Sequence, residues 1–138
     1  MAQVNDISKM DEYEIVELFR KTMKEYVDTF NERLPRKVNN EYVIGARFSC
    51  GSYIDFYIDY GTIKRLYTKE EAKIALNTFN EYCNILVLYL ETLKFKYPDI
   101  RYEIGKTELS SAKIGKSLNV YEFPFKLPNE YYEDGNYI

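Results

Sequence analysis

Few residues in this chain could move a proton, attack a carbon or hold a metal. There is no histidine, which removes imidazole acid–base pairs, histidine-dependent triads and histidine metal ligands. The two cysteines, Cys50 and Cys83, lie in unrelated contexts and cannot form a thiolate zinc cluster. Asp55 and Asp59 fall on one face of an alternating stretch, but four strand positions span roughly 13 Å, too far for a carboxylate dyad. Asp99, Glu103 and Glu108 lack the spacing of a calcium loop. Ile104-Gly105-Lys106-Thr107 is echoed by Ile114-Gly115-Lys116-Ser117, and both tetrapeptides resemble the end of a phosphate-binding loop. That motif needs an earlier glycine where Ile100 and Ser110 stand, so both copies fail. The expectation is a non-enzymatic chain with no catalytic residue, no cofactor and no metal.

Binding chemistry is better represented. Alternation over Tyr42–Ser49 and Tyr53–Tyr60 puts Tyr42, Ile44, Ala46 and Phe48, and Ile54, Phe56, Ile58 and Tyr60, on apolar faces. The opposite face then carries Val43, Arg47, Tyr53, Asp55, Tyr57 and Asp59, a mixture of tyrosine and charge suited to protein contact. Tyr53 and Tyr57 could instead stack on nucleic-acid bases, helped by a basic loop with Arg101, Lys106, Lys113 and Lys116. Asp55 and Asp59 would repel phosphates there, so nucleic acid is the alternative and a protein partner the main expectation.

These faces need elements to position them. Thr68-Lys69-Glu70-Glu71 is a capping box, and Ala72, Leu76, Phe79, Cys83, Leu86, Leu90, Leu93 and Tyr97 follow at heptad spacing. The pattern predicts one long helix stopped by Pro98. Ile85-Leu86-Val87-Leu88-Tyr89-Leu90 is apolar all round, which makes Ile85, Leu88 and Tyr89 candidates for a homodimer interface. An earlier helix is predicted from a cap at Ser8 or Asp6 to Pro35, with Val16, Phe19, Met23, Tyr26 and Phe30 as its seam. The two alternating runs form a hairpin across Cys50-Gly51-Ser52. Pairing Phe48 with Ile54 and Arg47 with Asp55 keeps both apolar faces together, whereas a shift by one buries a charge. Ile63–Tyr67 reads as a third strand, Ile100–Ile104 as a fourth and Leu118–Phe125 as a fifth, with a polar loop from Gly105 to Ser117.

The order is therefore α-β-β-β-α-β-β, an α+β domain with an antiparallel sheet of about five strands and two long helices on one face. Residues 1–128 form the domain and 129–138 an acidic, tyrosine-rich tail. At 138 residues the chain can bury a core without disulfides. Its net charge of −3 argues against a generic nucleic-acid binder. The N-terminus carries neither a basic nor an apolar signal region, there is no membrane span, and two reduced thiols suit a cytoplasmic protein.

The element order resembles that of class I type III secretion chaperones, although the C-terminal helix of that family is not evident. The resemblance implies a dimeric, effector-binding α+β protein. The composition is similar to that of small phage and archaeal-virus proteins, which implies a regulator of host machinery. The expected function is a homodimeric interaction protein that binds or inhibits a larger protein assembly.

Overall fold

The computed structural model describes residues 4–34, 43–49, 51–110 and 113–133. After a 3-10 turn at Val4–Lys9, the elements are α1 (Glu12–Arg33), β1 (Ile44–Ser49), β2 (Tyr53–Ile58), α2 (Tyr60–Leu66), α3 (Lys69–Lys94), β3 (Arg101–Ser110), β4 (Lys113–Tyr121) and β5 (Glu130–Glu133). The fold is α+β, with a five-stranded antiparallel sheet in the order β3-β4-β2-β1-β5 and both long helices on one face. Tyr42 and Cys50 lie outside the described residues.

Each long helix starts at a capping box, which satisfies backbone donors that would otherwise be orphaned. In α3 the Thr68 hydroxyl accepts from the Glu71 N–H at 3.1 Å, and the Glu71 carboxylate accepts from the Thr68 N–H at 2.9 Å. In α1 the cap is Asp11, not Ser8 or Asp6. Its carboxylate accepts from the Glu14 N–H at 2.8 Å, and Glu14 reciprocates. The chain before it, expected to be helical, is the 3-10 turn. Helix α3 has 26 residues, about 39 Å of rise, and ends at Lys94 rather than running to Pro98.

The core fills the layer between helices and sheet. Phe56 of β2 is the pivot: its ring stacks on Phe79 of α3 at 5.0 Å and meets Tyr26 of α1 at 4.3 Å. The α3 seam is buried as expected at Ala72, Phe79, Cys83, Leu86, Leu90 and Leu93. A second stripe, Ala75, Thr78, Tyr82 and Tyr89, is buried beside it. There Tyr82 donates to Glu25 at 3.2 Å and shares a 2.9 Å hydrogen bond with Thr29, while Arg33 donates to Thr78 at 3.0 Å and to Glu81 at 2.9 Å. On α1, Val16 is only half-buried, and Ile15, Thr22 and Val27 join Phe19, Met23, Tyr26 and Phe30 in the core.

Four local readings change. Ile63–Tyr67 is not a strand: Tyr60–Leu66 is a helix of about two turns capped by Asp59, whose carboxylate accepts from the Thr62 N–H at 3.1 Å and the Thr62 hydroxyl at 2.7 Å. The span from Gly105 to Ser117, expected as a loop, belongs mostly to the β3–β4 hairpin, paired from Arg101↔Tyr121 to Ser110↔Lys113 with a register shift between Glu108 and Ser110. The expected strand from Leu118 to Phe125 stops at Tyr121. Glu130–Glu133, expected in the tail, pairs with β1 as β5; residues 134–138 lie outside the described residues. No helix among the described residues is long and apolar enough to cross a membrane.

Candidate functional site

The β1–β2 register is the one that side-chain parity predicts: Phe48↔Ile54 and Arg47↔Asp55. Extending it through neighbouring strands defines the face turned away from the helices. One row across all five strands reads Glu103, Asn119, Asp55, Arg47, Tyr131. The next reads Gly105, Ser117, Tyr57, Gly45, Glu133. Arg101, Tyr121, Tyr53 and Ser49 lie on the other side of the first row.

The surface is preorganised by contacts among its own side chains. The Arg47 Nε donates to Asp55 Oδ2 at 2.9 Å, with Nη2 at 2.8 Å from the same oxygen. Tyr53 donates to Asn119 Oδ1 at 2.7 Å, and Asn119 donates on to Ser117 at 2.9 Å. The Tyr53 and Tyr121 rings lie 5.4 Å apart, and the Arg101 guanidinium sits 4.9 Å above Tyr121, a favourable cation–π distance. Asp55 and Ser117 are buried although they point away from the core. Burial pushes the Asp55 carboxyl above its ordinary value, and Arg47 only partly offsets this. Arg47 and Arg101 remain exposed, and Tyr131 is 62% exposed.

Of the residues expected on this face, Arg47, Tyr53, Asp55 and Tyr57 are brought together. Asp59 is not among them: it is 1% exposed and caps α2. Val43 is likewise buried. The expected basic loop does not form one surface. Arg101 joins the tyrosine face, whereas Lys116 lies opposite Ile58 on the helix side, with Lys106 beside it in the register. The side chains of Lys106 and Lys113 lie outside what the structure describes. Of the expected interface residues on α3, Leu88 is 53% exposed and Ile85 half-buried, but Tyr89 is 1% exposed. Its ring packs edge-on to Phe19 at 5.7 Å, so Tyr89 is a core residue.

Sequence reasoning missed Asn119, Tyr121 and Tyr131. The first two were legible, because Leu118 and Val120 facing inward forces their neighbours outward. Tyr131 was not, because nothing local marks Glu130–Glu133 as a strand.

Among the described residues, no group of three or more cysteine or carboxylate side chains could hold a metal ion. No protein-family model matches the chain, and neither a curated protein nor a solved structure shows significant similarity to it.

Proposed function

We propose that this chain is a non-enzymatic interaction protein that binds, and thereby inhibits or regulates, a larger protein assembly through the open face of its sheet. The observation that carries the reading is the row Asn119, Asp55, Arg47, Tyr131 with Tyr53, Tyr57 and Tyr121 around it. Rigid tyrosines and arginines are the side chains that anchor protein interfaces, since they offer large contact areas for little lost entropy. Here Arg47, Tyr53, Tyr121 and Arg101 are already held by neighbours on the face, which lowers the ordering cost of binding.

Nucleic acid is the weaker reading. Among the described side chains, the charges on this face are Arg47 and Arg101 against Asp55, Glu103 and Glu133, and Asp55 takes up Arg47. Phosphate binding needs an uncompensated basic track, and Lys116 is on the other side of the sheet.

The test is affinity capture from source-cell lysate with wild type, Tyr131→Ala and Arg101→Glu as baits. A protein retained by wild type and lost from both variants supports the reading. A partner retained equally by all three, or labelled single-stranded nucleic acid bound with steep salt dependence, overturns it.

A further inference from the structure

We infer that a second copy of this chain docks along the β3 edge, joining two sheets into one of ten strands with Ile104 on the two-fold axis. The inference is independent of the proposed partner face. It begins with the two edges of the sheet, β3 and β5. Strand β5 has four residues and is tied to α1 by Arg20, which holds Glu130 through Nε at 2.9 Å and Nη2 at 2.5 Å. Strand β3 has ten residues, and its register with β4 is regular from Arg101 to Glu108. A long edge strand is a template for another strand unless something blocks it.

Beside that edge lies an apolar border. Tyr102 donates to Glu91 at 2.8 Å, and the Lys94 ammonium sits 5.7 Å from the Tyr102 ring. Only six residues, 95–100, separate the end of α3 at Lys94 from the start of β3 at Arg101. Helix and strand therefore run antiparallel. Leu88, one turn before Glu91, and Ile104, two residues after Tyr102, fall at the same level. Each is 53% exposed.

A second copy can pair with this edge only in registers that bring no like charges together. A two-fold axis that joins antiparallel strands stands normal to the sheet and keeps its faces, so opposed residues must share parity. An axis at Glu103 opposes it to the partner's Glu103, and an axis at Lys106 opposes two lysines. An axis at Tyr102 runs the ladder into Pro98, which cannot extend it. An axis at Gly105 sets Ile104 against the partner's Lys106. The axis at Ile104 avoids every like-charge pair. It opposes Ile104 to the partner's Ile104, and it sets the position of Lys106 opposite the partner's Tyr102, whose hydroxyl holds a carboxylate. An axis at Thr107 also avoids like charges but sets Ile104 opposite the partner's Ser110, so burial of the exposed Ile104, and not charge alone, selects the Ile104 axis.

The experiment is light scattering after size exclusion at tens of micromolar on wild type, Ile104→Lys and Ile104→Cys, the last in a Cys50→Ser background. The expected result is a dimer for wild type and half that mass for Ile104→Lys with an unchanged circular dichroism spectrum. Ile104→Cys should become a covalent dimer under mild oxidation, while Glu103→Cys should not, because only position 104 meets itself across the axis. A wild-type monomer overturns the inference. So does a dimer that survives Ile104→Lys while Ile104→Cys fails to cross-link.

Discussion

The Tyr57 ring lies directly over Gly45: a Cβ built on Gly45 would come within 2.7 Å of both the ring edge and the hydroxyl. The two are opposed in the register of β1 and β2, so the missing side chain is the space the tyrosine occupies. The atoms that would clash are at the far end of Tyr57, which can swing away. Gly45→Ala is therefore expected to cost less than about 1 kcal/mol in denaturant unfolding. It should nevertheless shift the Tyr57 ring resonances and weaken capture of a sheet-face partner. Loss of folding, or unchanged Tyr57 resonances, would contradict this role.

Arg47 and Asp55 form a pair of unequal burial, with 45% of the arginine side chain exposed against 11% of the aspartate. Removing the arginine strands a buried carboxylate. Arg47→Ala should cost about 1–3 kcal/mol, and adding Asp55→Asn should recover part of that loss. The pH dependence has a definite sign. Because the folded carboxyl titrates above its ordinary value, its contribution to stability is fully present below the unfolded pKa and is lost as pH rises through the folded one. Arg47→Ala should steepen that loss, as read by urea midpoints across the acid range. A shallower slope would show that the pairing with Arg47, not burial, governs Asp55.

The Tyr89 hydroxyl is buried with no hydrogen-bond partner among the described residues. An unsatisfied buried hydroxyl costs free energy, and phenylalanine keeps the ring that packs on Phe19. Tyr89→Phe should raise stability by about 1 kcal/mol and the melting temperature by roughly 2–6 °C. A fall in melting temperature would show that the hydroxyl is satisfied in solution.

Burial pushes the Cys83 thiol up to about 11 from an ordinary value of 9.0, against a smaller opposing pull from Lys116. At neutral pH the thiolate fraction should be about 100-fold below that of an unfolded cysteine. In a Cys50→Ser background, labelling by a disulfide reagent should be slow until the protein unfolds. The stability held by the neutral thiol is complete below the unfolded pKa and is lost as pH rises toward 11. Subtracting the pH–stability curve of Cys83→Ala from wild type should isolate that loss; a flat difference curve would refute it.

The parts of the fold that were legible rest on short-range rules. The α3 capping box, its seam and the Arg47–Asp55 register depend on residues within a few positions or on strict parity. The misreadings arose where distant contacts decide. Tyr60–Leu66 is too short to show helical periodicity, and only the Asp59–Thr62 cap signals it. The β3–β4 hairpin looks like a loop because its far half is rich in Gly, Ser, Thr and Lys. Strand β5 depends on Arg20, whose link to Glu130 crosses nearly the whole described chain. For the candidate face, alternation located its centre, and the contributions of β4 and β5 required the topology.

The pairing of β1 with β5 also governs how the molecule is assembled. Strand β1 follows α1, yet its second neighbour is supplied only after α2, α3 and the β3–β4 hairpin have been built. Until then β1 is itself an open edge, and closing it requires a long-range loop that raises contact order. Refolding should therefore finish with β5, and protection of β1 amides from hydrogen exchange should lag behind that of α3. A variant without the Arg20 clamp would prolong the interval in which β1 is exposed, which makes aggregation during folding, more than loss of the folded state, its expected defect.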